Sequence, residues 1–203
     1  MAPVTSLAPV HFFSHGSTMM LGEESDSATY WKKCGDEALA NGIKHVVMMG
    51  AHWATLGNEI EVASNPTPGK SPVAYVHPSK YVPYKLNPDI PMATRYNFAM
   101  ESPPDAAMLE FRQEFEDAVT KNSGPELRRA VTMLMKLPKY RDAHGTDDHF
   151  MAAMFVAGLC GDFEDRGTTA VMGAEDWELR NMCNSQYTFG NWGSGSSRIM
   201  GKA

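Results

Sequence analysis

The sequence predicts an α/β domain built around a central, mostly buried sheet with helices on its flanks. Two observations carry this reading. Near the start, two short apolar runs bracket a helical segment, the pattern of a βαβ unit. Further on, residues 106–159 hold three successive segments with helical spacing of apolar residues.

The first run, Val10-His11-Phe12-Phe13-Ser14, reads as a buried strand ending at the turn His15-Gly16-Ser17. A helix is expected from Ser27 to Asn41, with capping residues among Ser25, Asp26 and Ser27 and a stop at Asn41-Gly42. The second run, Lys44 to Gly50, contains His45-Val46-Val47-Met48-Met49 and does not alternate. That is the signature of a fully buried central strand. It ends at Ala51-His52-Trp53, and Glu59 to Ala63 is expected to add a strand. Residues 64–91, rich in Pro, Ser, Gly, Asn and Tyr, read as a long irregular loop. Helices are expected over Ala106–Lys121, over Pro125–Lys136 with proline at its start, and over Asp147–Leu159, entered through Thr146-Asp147-Asp148. Residues 1–190 are expected to form one domain and 191–203 a flexible Gly/Ser-rich tail.

Composition narrows the function. A length of 203 residues suits one domain with a substantial core. A net charge of -6, with no Lys/Arg run, argues against a nucleic-acid partner. Cys34, Cys160 and Cys183 form no C-x-x-C pair and read as reduced thiols, Cys160 within an apolar, buried setting. No stretch has the ~18–20 apolar residues of a membrane span, and Met1–Pro9 lacks the features of a secretory signal. A cytoplasmic protein is therefore expected, without a membrane partner. The 15 methionines are scattered and read as core filling.

Among the seven histidines, three stand out. His15 and His52 fall at the ends of successive strand candidates, where α/β sheets place their ligands. His149 falls in the first turn of the apolar helix. Three neutral imidazoles can bind Zn(II) or Fe(II) and leave positions open for water or substrate. Taken singly, each histidine has a structural role as the commoner reading. His11 and His45 are expected to be packed or hydrogen-bonded within strands, and His77 to sit in the loop. Spacing does not choose between His144 and His149. Tyr75, Tyr81 and Tyr84 either line an aromatic pocket or pack the loop. No G-x-S-x-G, phosphate-loop or G-x-G-x-x-G element is present.

Three elements together resemble a known family. Ser14-His15-Gly16-Ser17 is similar to the S-H-G-S element of class III extradiol ring-cleaving dioxygenases. Gly50-Ala51-His52-Trp53 resembles their S-A-H-W element. Ala143-His144-Gly145-Thr146-Asp147-Asp148-His149-Phe150 resembles the A-H-P-T-x-x-H-F element of the DOPA-dioxygenase-like branch. The resemblance implies a LigB-like fold with a central mixed sheet. It implies one Fe(II) or Zn(II) per chain, held by His15, His52 and His149, and a small catechol-type phenolic substrate cleaved with O2. A homo-oligomer is compatible with it.

The chain also departs from that pattern. The family carries further residues, with two proton-transfer and substrate-positioning histidines, where Met92-Ala93-Thr94-Arg95 here runs into Tyr96-Asn97-Phe98-Ala99. No histidine lies between His77 and His144. The domain is thus internally shortened near 94–97, which leaves His144 and His77 to act as catalytic acid/base groups. Losing such a group costs ~10²–10⁴ in rate, and losing strands exposes edges and apolar surface. The alternative expectation is a catalytically impaired metal-binding paralogue or truncated isoform. A zinc hydrolase is a third reading, resting on the three histidines alone.

Overall fold

The fold is given by a computed structural model, which describes residues 8–16, 24–51, 61–62, 103–161, 169–178 and 181–192. The elements are β1 (Val10–Phe13), α1 (Asp26–Ala40), α2 (Ala106–Thr120), α3 (Gly124–Leu134), α4 (Tyr140–Ala143), α5 (Asp148–Gly161), β2 (Ala170–Glu178) and β3 (Met182–Phe189). The chain mixes α and β structure, as expected. The described sheet is antiparallel rather than mixed, with three strands in the order β1-β3-β2. Phe13 stands opposite Gln186 and Val10 opposite Phe189.

The four longer helices lie where the apolar spacing puts them, within a residue or two at most ends. Local chemistry explains the agreement. Ser25 caps α1 by accepting from the Ala28 amide at 3.0 Å. Gly42, at φ 73°, takes the left-handed conformation that ends the helix. α3 opens with Pro125 in its first turn.

The second apolar run corrects an expectation. Residues 43–50 form no strand, and Val46, Val47 and Met48 are 77%, 86% and 82% exposed. His45, expected inside that strand, is exposed as well. A strand exists only through a ladder partner. β1 pairs with β3 along one edge, and no described segment pairs with its other edge. Of the strand expected over Glu59–Ala63, only 61–62 are described, and they are not in a strand. The 64–91 loop, the 94–97 junction and residues 193–203 lie outside the described residues.

The sheet separates two kinds of packing. On one face, Phe12, Tyr187 and Phe189 meet α2 and α5 in an apolar core that includes Phe111, Leu127, Val131 and Phe150. On the other face, α1 meets β3 through buried polar groups: Ser27, Asn184 and Gln186 are at most 1% exposed. The Asp176 carboxylate of β2 receives the Ser27 amide at 2.7 Å, placing negative charge at the α1 N-terminus. α1 also stands over the break in β2–β3 register between Met172 and Ala174. There a Cβ on Gly173 would overlap the Tyr30 ring, whose hydroxyl bonds Thr188 Oγ1 at 2.5 Å. Gly173→Ala should therefore push α1 off the sheet and cost about 1–3 kcal/mol, read as a lower urea midpoint at unchanged slope.

Among the described residues, no helix is long and apolar enough to cross a membrane.

Candidate metal centre

β1 delivers His15 to the end of the sheet. Its backbone leaves the ladder after Phe13 and turns at Gly16, which takes φ 57°. The His15 Nδ1–H donates to the Gly16 carbonyl at 2.9 Å. A carbonyl only accepts, so in the neutral ring the proton sits on Nδ1 and the Nε2 lone pair is free for a ligand. That is the arrangement of many metal-binding histidines.

His149 arrives from a distant part of the sequence, in the first turn of α5. The loop before it is anchored rather than loose. Asp147 accepts from Tyr140 Oη at 2.9 Å and Arg141 Nη1 at 2.7 Å, which ties the entry of α5 to α4. The Arg141 and Tyr140 hydrogen bonds hold the Asp147 carboxyl below the usual carboxylate range. Its main-chain carbonyl accepts the Phe150 and Met151 amides at 3.0 Å, opening the helix. Thr146 Oγ1 donates to the Asp148 carboxylate, completing the turn.

The two rings meet at the surface. The His15 and His149 centroids are 6.0 Å apart and tilted by 42°. With metal–nitrogen distances of ~2.0–2.1 Å, two imidazoles on one ion have centroids about 5.2 Å apart at a tetrahedral angle and about 6.4 Å apart at a linear one. At 6.0 Å the rings are neighbours, and sharing one tetrahedral ion requires them to close by about 1 Å. Both residues are exposed, and the His149 side chain keeps 40% of its surface. His52, the third expected ligand, lies outside the described residues. Among the described residues, no three His, Cys, Asp or Glu side chains form a metal-holding group.

Of the two expected acid/base groups, His77 lies outside the described residues. His144 sits in an aromatic box, with ring centroids 5.3 Å from Phe111, 5.3 Å from Tyr140 and 5.2 Å from Phe150. Burial, reinforced by the His149 charge, lowers its pKa from 6.5 to about 4. The neutral ring is therefore the stable form through most of the acid range. As pH falls, the unfolded imidazole protonates near 6.5 while the folded one resists until about 4. Stability contributed by neutral His144 is therefore present above pH 6.5 and lost progressively between 6.5 and 4. The expected loss is on the order of 1–3 kcal/mol. Urea titrations at pH 7 and pH 4.5 should show a smaller drop for His144→Phe than for the parent chain, and equal drops would disprove the assignment.

The remaining histidines and cysteines do not join this site. His11, on the α1 face, bonds Thr188 Oγ1 at 2.8 Å, and burial lowers its pKa, as its expected packed role requires. Burial pushes the Cys183 thiol up to about 12 and raises that of Cys34, so neither offers a thiolate near neutral pH. Cys160 is half-buried rather than fully buried. Sequence reasoning missed the polar residues behind the site, Asn184 and Gln186. Their signal was a strand of polar side chains, which periodicity of apolar residues does not register.

Comparison with protein-family models, curated proteins and solved structures finds no match to this chain.

Proposed function

We propose that this protein is a non-haem metal-dependent dioxygenase that opens a catechol-type ring with O2, with His15, His52 and His149 holding one Fe(II) or Zn(II) per chain. The observation that carries the reading is the nearness of His15 and His149, brought from distant parts of the sequence with their rings 6.0 Å apart. The order of the three histidine elements along the chain supports it. When bound, Fe(II) would hold a catecholate and O2 side by side, which Zn(II) does not do. The chain's own part is to orient the ligands. Gly16 fixes the His15 tautomer, and the Asp147 clasp to Tyr140 and Arg141 sets the first turn that bears His149.

A second reading is favoured by a specific observation. His144 is packed among three aromatic rings and resists protonation, which makes it a poor carrier of protons near neutral pH. On that reading the chain is a metal-binding paralogue whose site outlived its ring-cleaving activity.

One experiment separates the two. Protein loaded anaerobically with Fe(II) is given a panel of catechols, and metal content and oxygen uptake are read on the same sample. Catechol-dependent uptake that is lost in His149→Ala supports the dioxygenase. One equivalent of metal without uptake supports the paralogue, and no bound metal removes both.

A further inference from the structure

We infer that the side-chain amide of Gln186 is the positioning residue for His15, an inference that rests on the metal-centre reading above. Gln186 lies in β3 opposite Phe13, the last residue of β1 in the ladder. Beyond that pair, main-chain pairing no longer holds the strand end that carries His15. The Gln186 side chain takes over: its Nε2 donates to the Ser14 carbonyl at 2.7 Å. Ser14 Oγ adds contacts of 3.4 Å to the Cys183 carbonyl and to Asn184 Oδ1. Among the described residues, the hydrogen bonds that tie the peptide entering His15 to β3 come from side chains.

The amide is itself held from both ends. Trp31 Nε1 of α1 donates to its Oε1 at 2.8 Å, while Nε2 also lies 3.1 Å from Ser27 Oγ and 3.2 Å from the Asn184 carbonyl. Gln186 is 0% exposed. A buried amide is costly unless its hydrogen bonds are made, and an apolar side chain would fill this space without that demand. What the amide adds is direction: it fixes one orientation of the Ser14 peptide relative to α1 and the sheet. Groups that orient a metal ligand from behind typically govern affinity by ~10–100-fold.

The test compares Zn(II) affinity, by competition with a chromophoric chelator, and the visible spectrum of Co(II)-loaded protein. The variants are Gln186→Glu, Gln186→Leu, Trp31→Phe, Val131→Ala and His15→Ala, each at a temperature where circular dichroism shows it folded. Gln186→Glu keeps the acceptor for Trp31 and removes the donor to Ser14. Val131→Ala destabilises the α3 core, on the other side of the sheet from Gln186. The Gln186 variants should bind Zn(II) about 10–100-fold more weakly and shift the Co(II) bands, while Val131→Ala changes neither. If the Gln186 variants do not fold, Trp31→Phe carries the test, with a several-fold weakening expected. Unchanged affinity and spectrum in the folded variants, or equal weakening in Val131→Ala, overturns the inference. Binding that survives His15→Ala instead overturns the metal-centre reading itself.

Discussion

Replacing His149 or His15 by alanine should abolish stoichiometric metal binding while leaving the fold of the metal-free protein nearly as stable as before. Both side chains are at the surface, so truncation removes little buried area and leaves no cavity. The cost falls instead on the ion, which loses one of its ligands. Because altering groups that merely support a ligand already costs ~10–100-fold, loss of a ligand should exceed that range. Inductively coupled plasma analysis after Zn(II) loading and desalting reads the content, and urea denaturation of chelator-treated protein reads the stability. Full metal content in either variant would remove that histidine from the centre. A large stability loss without metal would mean that the residue serves packing rather than ligation.

Phe150→Ala should be the most damaging single substitution near the site. Phe150 is 2% exposed and directly follows His149. Its ring meets Phe111, Phe115, Tyr140 and His144, with centroid separations of 5.2 to 6.3 Å. It thereby joins α2, α4 and α5 behind the candidate centre. Truncating a buried phenylalanine costs about 3–5 kcal/mol, a large share of the ~5–15 kcal/mol that stabilises an ordinary domain. The same change opens the box around His144 and admits water to a ring that burial now keeps neutral. Thermal and urea unfolding should show the loss directly, and the chemical shifts of His144 should begin to titrate nearer to 6.5 than to 4. A loss below about 1 kcal/mol would mean that α5 is not pinned through this ring.

Much of the helical frame was legible before any coordinates. Ser25 as a cap, Gly42 as a stop, Pro125 near a helix start and the apolar run of α5 are local signals, decided by groups a few residues apart. The strand that carries His15 was legible for the same reason, as a short apolar segment ended by a glycine turn. The half-buried histidine His144 was not separable from His149 by spacing. Only the packing of Phe111 and Tyr140 around one, and the exposure of the other beside His15, tells them apart.

The sheet was the harder part. β3 reads Met-Cys-Asn-Ser-Gln-Tyr-Thr-Phe, with polar side chains at its most buried positions. Their burial follows from partners supplied by α1, the His15 strand end and the β2 carboxylates Glu175 and Glu178, which no pattern within β3 announces. Conversely, Val46-Val47-Met48 has the composition of a central strand yet stays exposed and pairs with no described segment. The sequence by itself determined which segments are helical and that His15 and His149 stand at element ends, since capping, turn and periodicity signals are local. Which strands pair, which polar groups are buried, and that His15 and His149 meet were decided only by tertiary structure, because those contacts join residues far apart in the chain.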